Sequence, residues 1–373
     1  MNLSGKAGPD SVLIGTYTGS EPGPAGVSKG IYVAEWDGGA GVLGPPRLVA
    51  ELKHPSFIAL HPSRPILYAV SETGKFQGKP SGAVAAVRLE GPEAKVGPIR
   101  LSHGTGPCHV TVNSRGDCLV VSNYSSGTAA AYPLDDGLPA EEATAFKLEG
   151  RGPNPDRQEG PHAHSAMFDP TGDRFYVMDL GTDRIWGFSV DRASRKARPL
   201  DPPFIMLDPG CGPRHMAFHP RSPWAYVITE LGNTVVALAW DRATGQLTPF
   251  QTVGTLPADR SSSVPSYTAD IHVSPDGAFL YGSNRGDDSL AVWKISAENG
   301  TLTPVQHVPS GGAHPRNFTL SPDGRWLLCA NMNSHNIVVF RRDPGTGMLA
   351  RVSTTPAPYP VCLVCRAASP AVG

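Results

Sequence analysis

Residues 269–284 read ADIHVSPDGAFLYGSN and residues 316–331 read RNFTLSPDGRWLLCAN. Each is a short apolar run, a turn, a second apolar run and a polar residue at its end. The Ser-Pro-Asp-Gly turn has a mechanism: proline presets one backbone angle, aspartate bonds nearby amides and glycine accepts a positive φ. Four weaker copies precede them: SFIALHPSRPILYAVSE from Ser56, CHVTVNSRGDCLVVSN from Cys108, HSAMFDPTGDRFYVMD from His164 and RHMAFHPRSPWAYVITE from Arg214. One unit recurring roughly every 50 residues is the signature of a repeat architecture.

A seventh copy is split between the chain ends. PVCLVC at 360–365 matches the first run and VLIGTYTG at 12–19 matches the second. Pairing these ends closes a ring and removes free sheet edges. A third run follows each second one, as in GTDRIWGFSVD (181–191), GNTVVALAWD (232–241), GDDSLAVWKIS (286–296) and SHNIVVFRRD (334–343). Fourth runs such as GQLTPFQTV (245–253) and GTLTPVQHV (300–308) come next. The sequence therefore predicts an all-β, seven-bladed propeller with four antiparallel strands per blade. It spans residues 1–373 as one domain, with 1–10 as a flexible N-terminal extension.

The bulk composition agrees. Of 373 residues, 42 are glycine and 38 proline, while only 17% are charged, which suits many short strands joined by turns. A net charge of −1 supplies no basic field for a nucleic-acid backbone. No apolar run approaches the roughly 20 residues of a membrane span, and the start lacks a basic stretch followed by an apolar core, so the expected compartment is the cytoplasm. Cysteines at 108, 118, 211, 329, 362 and 365 form no disulfide framework, and the lone CxxC at 362–365 reads as buried thiols. The oligomeric state is open between monomer and dimer.

In an antiparallel blade the start of the first strand and the end of the second lie on one side. Ser56, Cys108, His164, Arg214, Ala269 and Arg316 then share one face of the ring with Glu72, Asn123, Asp179, Glu230, Asn284 and Asn331, and Arg285 follows Asn284. Segments 147–161 and 255–266 exceed the repeat and wall the central mouth, and a third insertion occupies 72–82. Arg214, Arg285 and Arg316 would form a fork-shaped donor cluster for carboxylate or phosphate, with Glu230 and His164 as titratable partners. The bland alternative is that these arginines staple blades through Glu230 or Asp179. His162 and His164, at i and i+2, could share a divalent metal, but a third ligand is not evident; no cofactor is expected. His109 and His215, one position further along, read as packed histidines.

PHAHSAMFDP, GPRHMAFHP with AYVITELGNTV, SNRGDDSLAVW and HPRNFTLSPDGRWLLCAN, with GTYTGS and GIYVAEWD near the start, resemble the propeller-type 6-phosphogluconolactonase family, which includes fungal carboxymuconate cycloisomerases. The resemblance covers essentially the whole chain. It implies a lactonase acting on a small anionic lactone in the pentose phosphate pathway, with His164, Arg214, Glu230 and Arg285 as catalytic residues. The rim positions His162, Arg316, Asn284, Asp179 and Asn123 are the accompanying candidates for substrate binding. Glu230 or His164 would be the general base, one arginine would face the carbonyl oxygen and the other the substrate's anion. No Ser-based GxSxG elbow is present, which argues against an acyl-enzyme. Two alternatives remain: a cycloisomerase using the same residues on a muconate, and a non-catalytic propeller scaffold.

Overall fold

The computed structural model describes residues 10–19, 26–89, 94–257 and 263–367. The described part of the chain is built from strands in seven antiparallel sheets. Five sheets have four strands in chain order; in the other two the outermost strand is broken into two short pieces, Val42–Leu43 with Arg47–Glu51 and Leu138–Pro139 with Thr144–Lys147. The split unit closes as the sequence predicts: Ser11–Thr16 pairs with Pro360–Arg366, in the register Val12↔Cys365 and Ile14↔Leu363. Of the extension expected at 1–10, residues 1–9 lie outside the described residues, as do 258–262 of the 255–266 insertion.

The two SPDG turns are made alike. Gly277 and Gly324 sit at φ of 72° and 69°, where a side chain would be strained. Ser274 Oγ and Ser321 Oγ each donate to the aspartate two residues on, and each accepts an amide of the returning strand. Such a turn fixes the register of the two strands it joins, so the apolar positions of both face the neighbouring blades.

Seven apolar clusters result, and each is shared by two adjacent blades. Polar contacts reinforce the same joints. Tyr68, Tyr176, Tyr226 and Tyr281, all on second strands, donate their hydroxyls to the carbonyls of Gly137, Gly245, Gly300 and Gly347 in the outer hairpin of the next blade, at 2.6–2.9 Å. Trp326 takes that role at the closing joint, donating Nε1 to Gly38 O at 2.9 Å. Each hydrogen bond stabilises by about 1 kcal/mol net.

Ring closure rests on packing as well as pairing, since Leu363, Val12 and Ile14 share one cluster with Trp326, Ile337 and Val339. Leu363→Ala should therefore lower stability by about 2–5 kcal/mol in urea unfolding. Val352→Ala, at a residue 45% exposed on an outer strand, should change it by no more than about 0.5 kcal/mol. Equal effects of the two would contradict closure through this cluster.

Candidate active site

The first strand of several blades carries a bulge at its start. Ala163 pairs with Asp179 and Ser165 with Met178, so His164 has no partner across the ladder. Arg214 is skipped in the same way between Pro213 and His215, Arg316 between Pro315 and Asn317, and Cys108 between Pro107 and His109. An extra residue in a strand leaves the pairing and re-aims its side chain. Four of the first-strand rim residues legible in the repeat are thus bulge residues.

The charges meet on Glu230. Its Oε2 accepts from Arg214 Nε at 2.9 Å and from Arg285 Nη2 at 2.7 Å, and its Oε1 accepts from Arg157 Nη2 at 2.6 Å. His164 Nε2 lies 3.8 Å from Oε2. The carboxylate is almost fully buried, as are Arg214 and His164. Burial pushes the Glu230 carboxyl up, but Arg285, Arg214 and the Arg157 hydrogen bond outweigh it and hold the group well below the usual carboxylate range. Burial, with Arg285 beside it, lowers Arg214 to about 9 against the pull of Glu230. Burial and then Arg214 hold His164 well below 6.5, so it is neutral.

Behind this layer Arg214 is braced. Its Nη1 donates to Ala269 O and to His215 Nε2 at 3.1 Å, which leaves His215 Nδ1–H to donate to Asp270 Oδ1 at 2.8 Å. His215 is therefore more than the packed histidine expected from the strand alternation; the bulge at Arg214 shifts its neighbour toward the axis too. His109 and His215 both line a cavity of about 270 Å³ one layer further along the axis, with Phe57, Met167, Asp270 and His272.

Arg316 enters the mouth from the blade next to that of Arg285. It donates to Tyr17 Oη at 2.9 Å with its guanidinium over that ring, and Tyr17 donates to Glu72 Oε2 at 2.9 Å. Half-buried His314, just before Arg316, is lowered to about 4 by burial and then by Arg285 and Arg316. Arg285 Nη2 also donates to Thr268 O, while its buried Nε has no protein partner.

Not every rim candidate faces this group. Asp179 accepts from His162 N, Gly181 N, Thr182 Oγ1 and Trp186 Nε1, and so ties its own hairpin together. Asn123 donates to Ser102 O and Thr128 Oγ1, and Asn284 to Thr255 O and Ser289 Oγ. These three are committed to the turns at strand ends. His162 stacks on Tyr124 and places its ring nitrogens against Tyr124 O and Glu159 Oε1, while His164 meets Tyr124 edge-on and faces Glu230. The i, i+2 pair thus has different partners, and among the described residues no group of three His, Cys, Asp or Glu side chains is placed to hold a metal. Arg157, Tyr124, Tyr17 and Glu72 were not singled out as site residues. The 147–161 insertion signalled that something covered the mouth, but nothing in it distinguished Arg157 from Arg151.

The ring, with its axial cluster of guanidiniums, carboxylates and a neutral histidine, is the frame of a propeller enzyme. The profile of the family described as lactonase, seven-bladed β-propeller, matches residues 11–365, and the chain belongs to that family of lactone hydrolases. It is 35% identical over 354 residues to the 6-phosphogluconolactonase of Bacillus subtilis, covering 94% of this chain and 96% of that one. The 6-phosphogluconolactonase of Formosa agariphila is 34% identical over 91% of this chain and 95% of its own. Among solved structures, a periplasmic gluconolactonase of Pseudomonas aeruginosa superposes with a TM-score of 0.86 at 29% identity, covering 96% of this chain and 99% of that one. Among the described residues no helix is long and apolar enough to cross a membrane.

The buried neutral histidines set a pH dependence of stability. His109 and His164 are held well below 6.5 and His215 is lowered to about 4, burial being the first cause in each. Below about pH 6.5 the unfolded chain takes up protons that the folded chain refuses, so stability falls as pH drops toward 4 and is level above 7. The urea midpoint should be lower at pH 5 than at pH 7.5, a window above the carboxylate range. His215→Gln should flatten that slope. Equal midpoints for the wild type at the two pH values would show that these histidines are not buried neutral.

Proposed function

We propose that the protein hydrolyses a sugar-acid lactone, 6-phosphoglucono-δ-lactone above all, by general-base attack of water in the axial mouth. One observation carries the reading: an ionised carboxylate gripped by three guanidiniums beside a neutral, buried imidazole. Lactone opening needs a base for water, positive charge at the carbonyl oxygen and a proton for the leaving ring oxygen. The names of the relatives from B. subtilis and F. agariphila support the same substrate, and the P. aeruginosa protein is called a gluconolactonase.

The geometry favours His164 over Glu230 as base. Both Glu230 oxygens are occupied by guanidinium donors, whereas the neutral imidazole of His164 keeps a ring nitrogen that can accept a hydrogen bond from water. In the proposed step water gives its proton to His164 as its oxygen attacks the carbonyl carbon. Arg285, with an uncommitted Nε–H, stabilises the tetrahedral oxyanion. The carbon–ring-oxygen bond then breaks and the leaving oxygen takes the proton back from His164. Glu230, 3.8 Å away, steadies the transient imidazolium and keeps Arg214 and Arg285 in place. The reading carries with it a role in the pentose phosphate pathway and a cytoplasmic setting, the latter in keeping with six free cysteines.

Purified protein should open 6-phosphogluconolactone faster than the spontaneous rate, with or without chelator, and leave carboxymuconate untouched. Arg285→Ala should lower kcat by about 10²–10³. His164→Gln should lose a comparable factor, while the wild type keeps its rate down to pH 6. Muconate turnover with no lactone opening would replace this reading with a cycloisomerase, and full activity in both variants would remove the site.

A further inference from the structure

Arg157 differs from the other two arginines on Glu230. Arg214 and Arg285 project from strands and are buried, whereas Arg157 comes from the connection between Thr144–Lys147 and Ala163–Phe168, and its side chain is 34% exposed. Its backbone is nonetheless pegged. Asn154 Oδ1 accepts from the amides of Asp156 and Arg157. Gln158, fully buried, donates to Leu180 O and Asp183 Oδ1 and accepts from Asn154 N. The chain is therefore fixed on both sides of Arg157, and only its long side chain reaches over the mouth. The guanidinium meets Glu230 Oε1 at 2.6 Å and Tyr124 Oη at 3.3 Å, and it lies 5.7 Å from the centre of the Tyr267 ring.

The charge balance makes this contact exchangeable. Arg214 and Arg285 both hold Oε2, so Glu230 stays compensated if Arg157 leaves Oε1. Among the described residues the mouth's four guanidiniums, those of Arg157, Arg214, Arg285 and Arg316, are matched by two carboxylates, Glu230 and Glu72. Glu159 pairs with His162 at the rim, and Asp270, one layer deeper, is shared by His215 and His272. Two positive charges in a partly desolvated mouth suit a dianion, and a guanidinium binds phosphate through paired N–H donors.

Building on the lactonase reading, we infer that Arg157 recognises the phosphate monoester of the substrate, moving its guanidinium from Glu230 Oε1 to the phosphoryl oxygens. It thereby sets the preference for phosphorylated over neutral sugar lactones. Tyr124 and Tyr267 flank its path and keep the side chain extended over the mouth rather than out in solvent.

The test compares wild type, Arg157→Ala and Arg157→Lys on 6-phosphogluconolactone and glucono-δ-lactone. Arg157→Ala should raise KM for the phosphorylated lactone by about tenfold or more with kcat within about threefold, the mark of lost binding rather than lost chemistry. Its loss on the neutral lactone should be at least about tenfold smaller, and Arg157→Lys should recover part of the phosphate preference. Equal losses on both substrates, or a fall in kcat at constant KM, would overturn the assignment. Calorimetry with 6-phosphogluconate and gluconate decides the point independently of turnover. Tighter binding of the phosphorylated acid by the wild type, lost in Arg157→Ala, supports it even if neither lactone is hydrolysed and the lactonase reading fails. Binding that ignores the phosphate, or a preference that survives in Arg157→Ala, refutes it.

Discussion

A carboxylate removed from water stays charged only if enough positive charge surrounds it, and at Glu230 that condition is met by three side chains at once. Dependence runs both ways. Arg214 is buried beside Arg285, and without the shared carboxylate their repulsion would add to the cost of burying each. These residues come from a connecting segment and two adjacent blades, so the ion cluster forms only if those neighbours pack in register. Closure itself sits under the Arg316–Tyr17–Glu72 chain, because Tyr17 follows the closing strand Ser11–Thr16.

The joints between blades supply the rigidity that such a cluster needs. A second-strand tyrosine reaching the outer glycine carbonyl of the next blade recurs at four joints, and Trp326 substitutes at the fifth. Each bond is modest, but together with the shared apolar clusters they fix the angle between neighbouring blades. Angular error at a joint would displace a rim side chain relative to those across the axis. A site held to within fractions of an ångström has to be built on elements that cannot tilt.

The repeat made the ring, its closure and the shared rim legible, because turn chemistry and alternation are local signals that recur. His164, Arg214, Glu230, Arg285 and Arg316 followed from position alone. The same argument also selected Asp179, Asn123 and Asn284, which close strand-end turns; an alignment by the turn cannot tell a side chain aimed at the axis from one folded onto its own hairpin. Ladder position decides that difference: Asp179, Asn123 and Asn284 still pair with Ala163, Pro107 and Thr268, whereas Glu230 lies one residue beyond the Pro213–Thr229 pair, and no residue type announces that step. Arg157 was illegible for another reason: it lies outside the repeat, and its importance comes from Gln158 and Asn154 fixing the loop, contacts with no sequence period. Tyr17 and Glu72 sit at ends of second strands, where they acquire meaning only once Arg316 of a neighbouring blade is seen to reach Tyr17.

The axis holds two polar layers, and the way each uses its hydrogen bonds separates architecture from chemistry. In the deeper layer Asp270 accepts from His215, Ile271 N, His272, Asn317 and Phe318 N, which satisfies both oxygens. Asp270 is thereby committed to the protein, and the adjoining cavity is walled largely by apolar side chains such as Phe57, Leu60, Met167 and Val364. In the outer layer Arg285 Nε and Ser56 Oγ are buried without a protein partner. A buried donor left unpaired costs on the order of 1–3 kcal/mol, a strain that folding alone gives no reason to keep. The inner layer is therefore the foundation that aims Arg214 through His215, and the outer layer is the one that keeps unpaired donors at the mouth for the proposed lactone to meet.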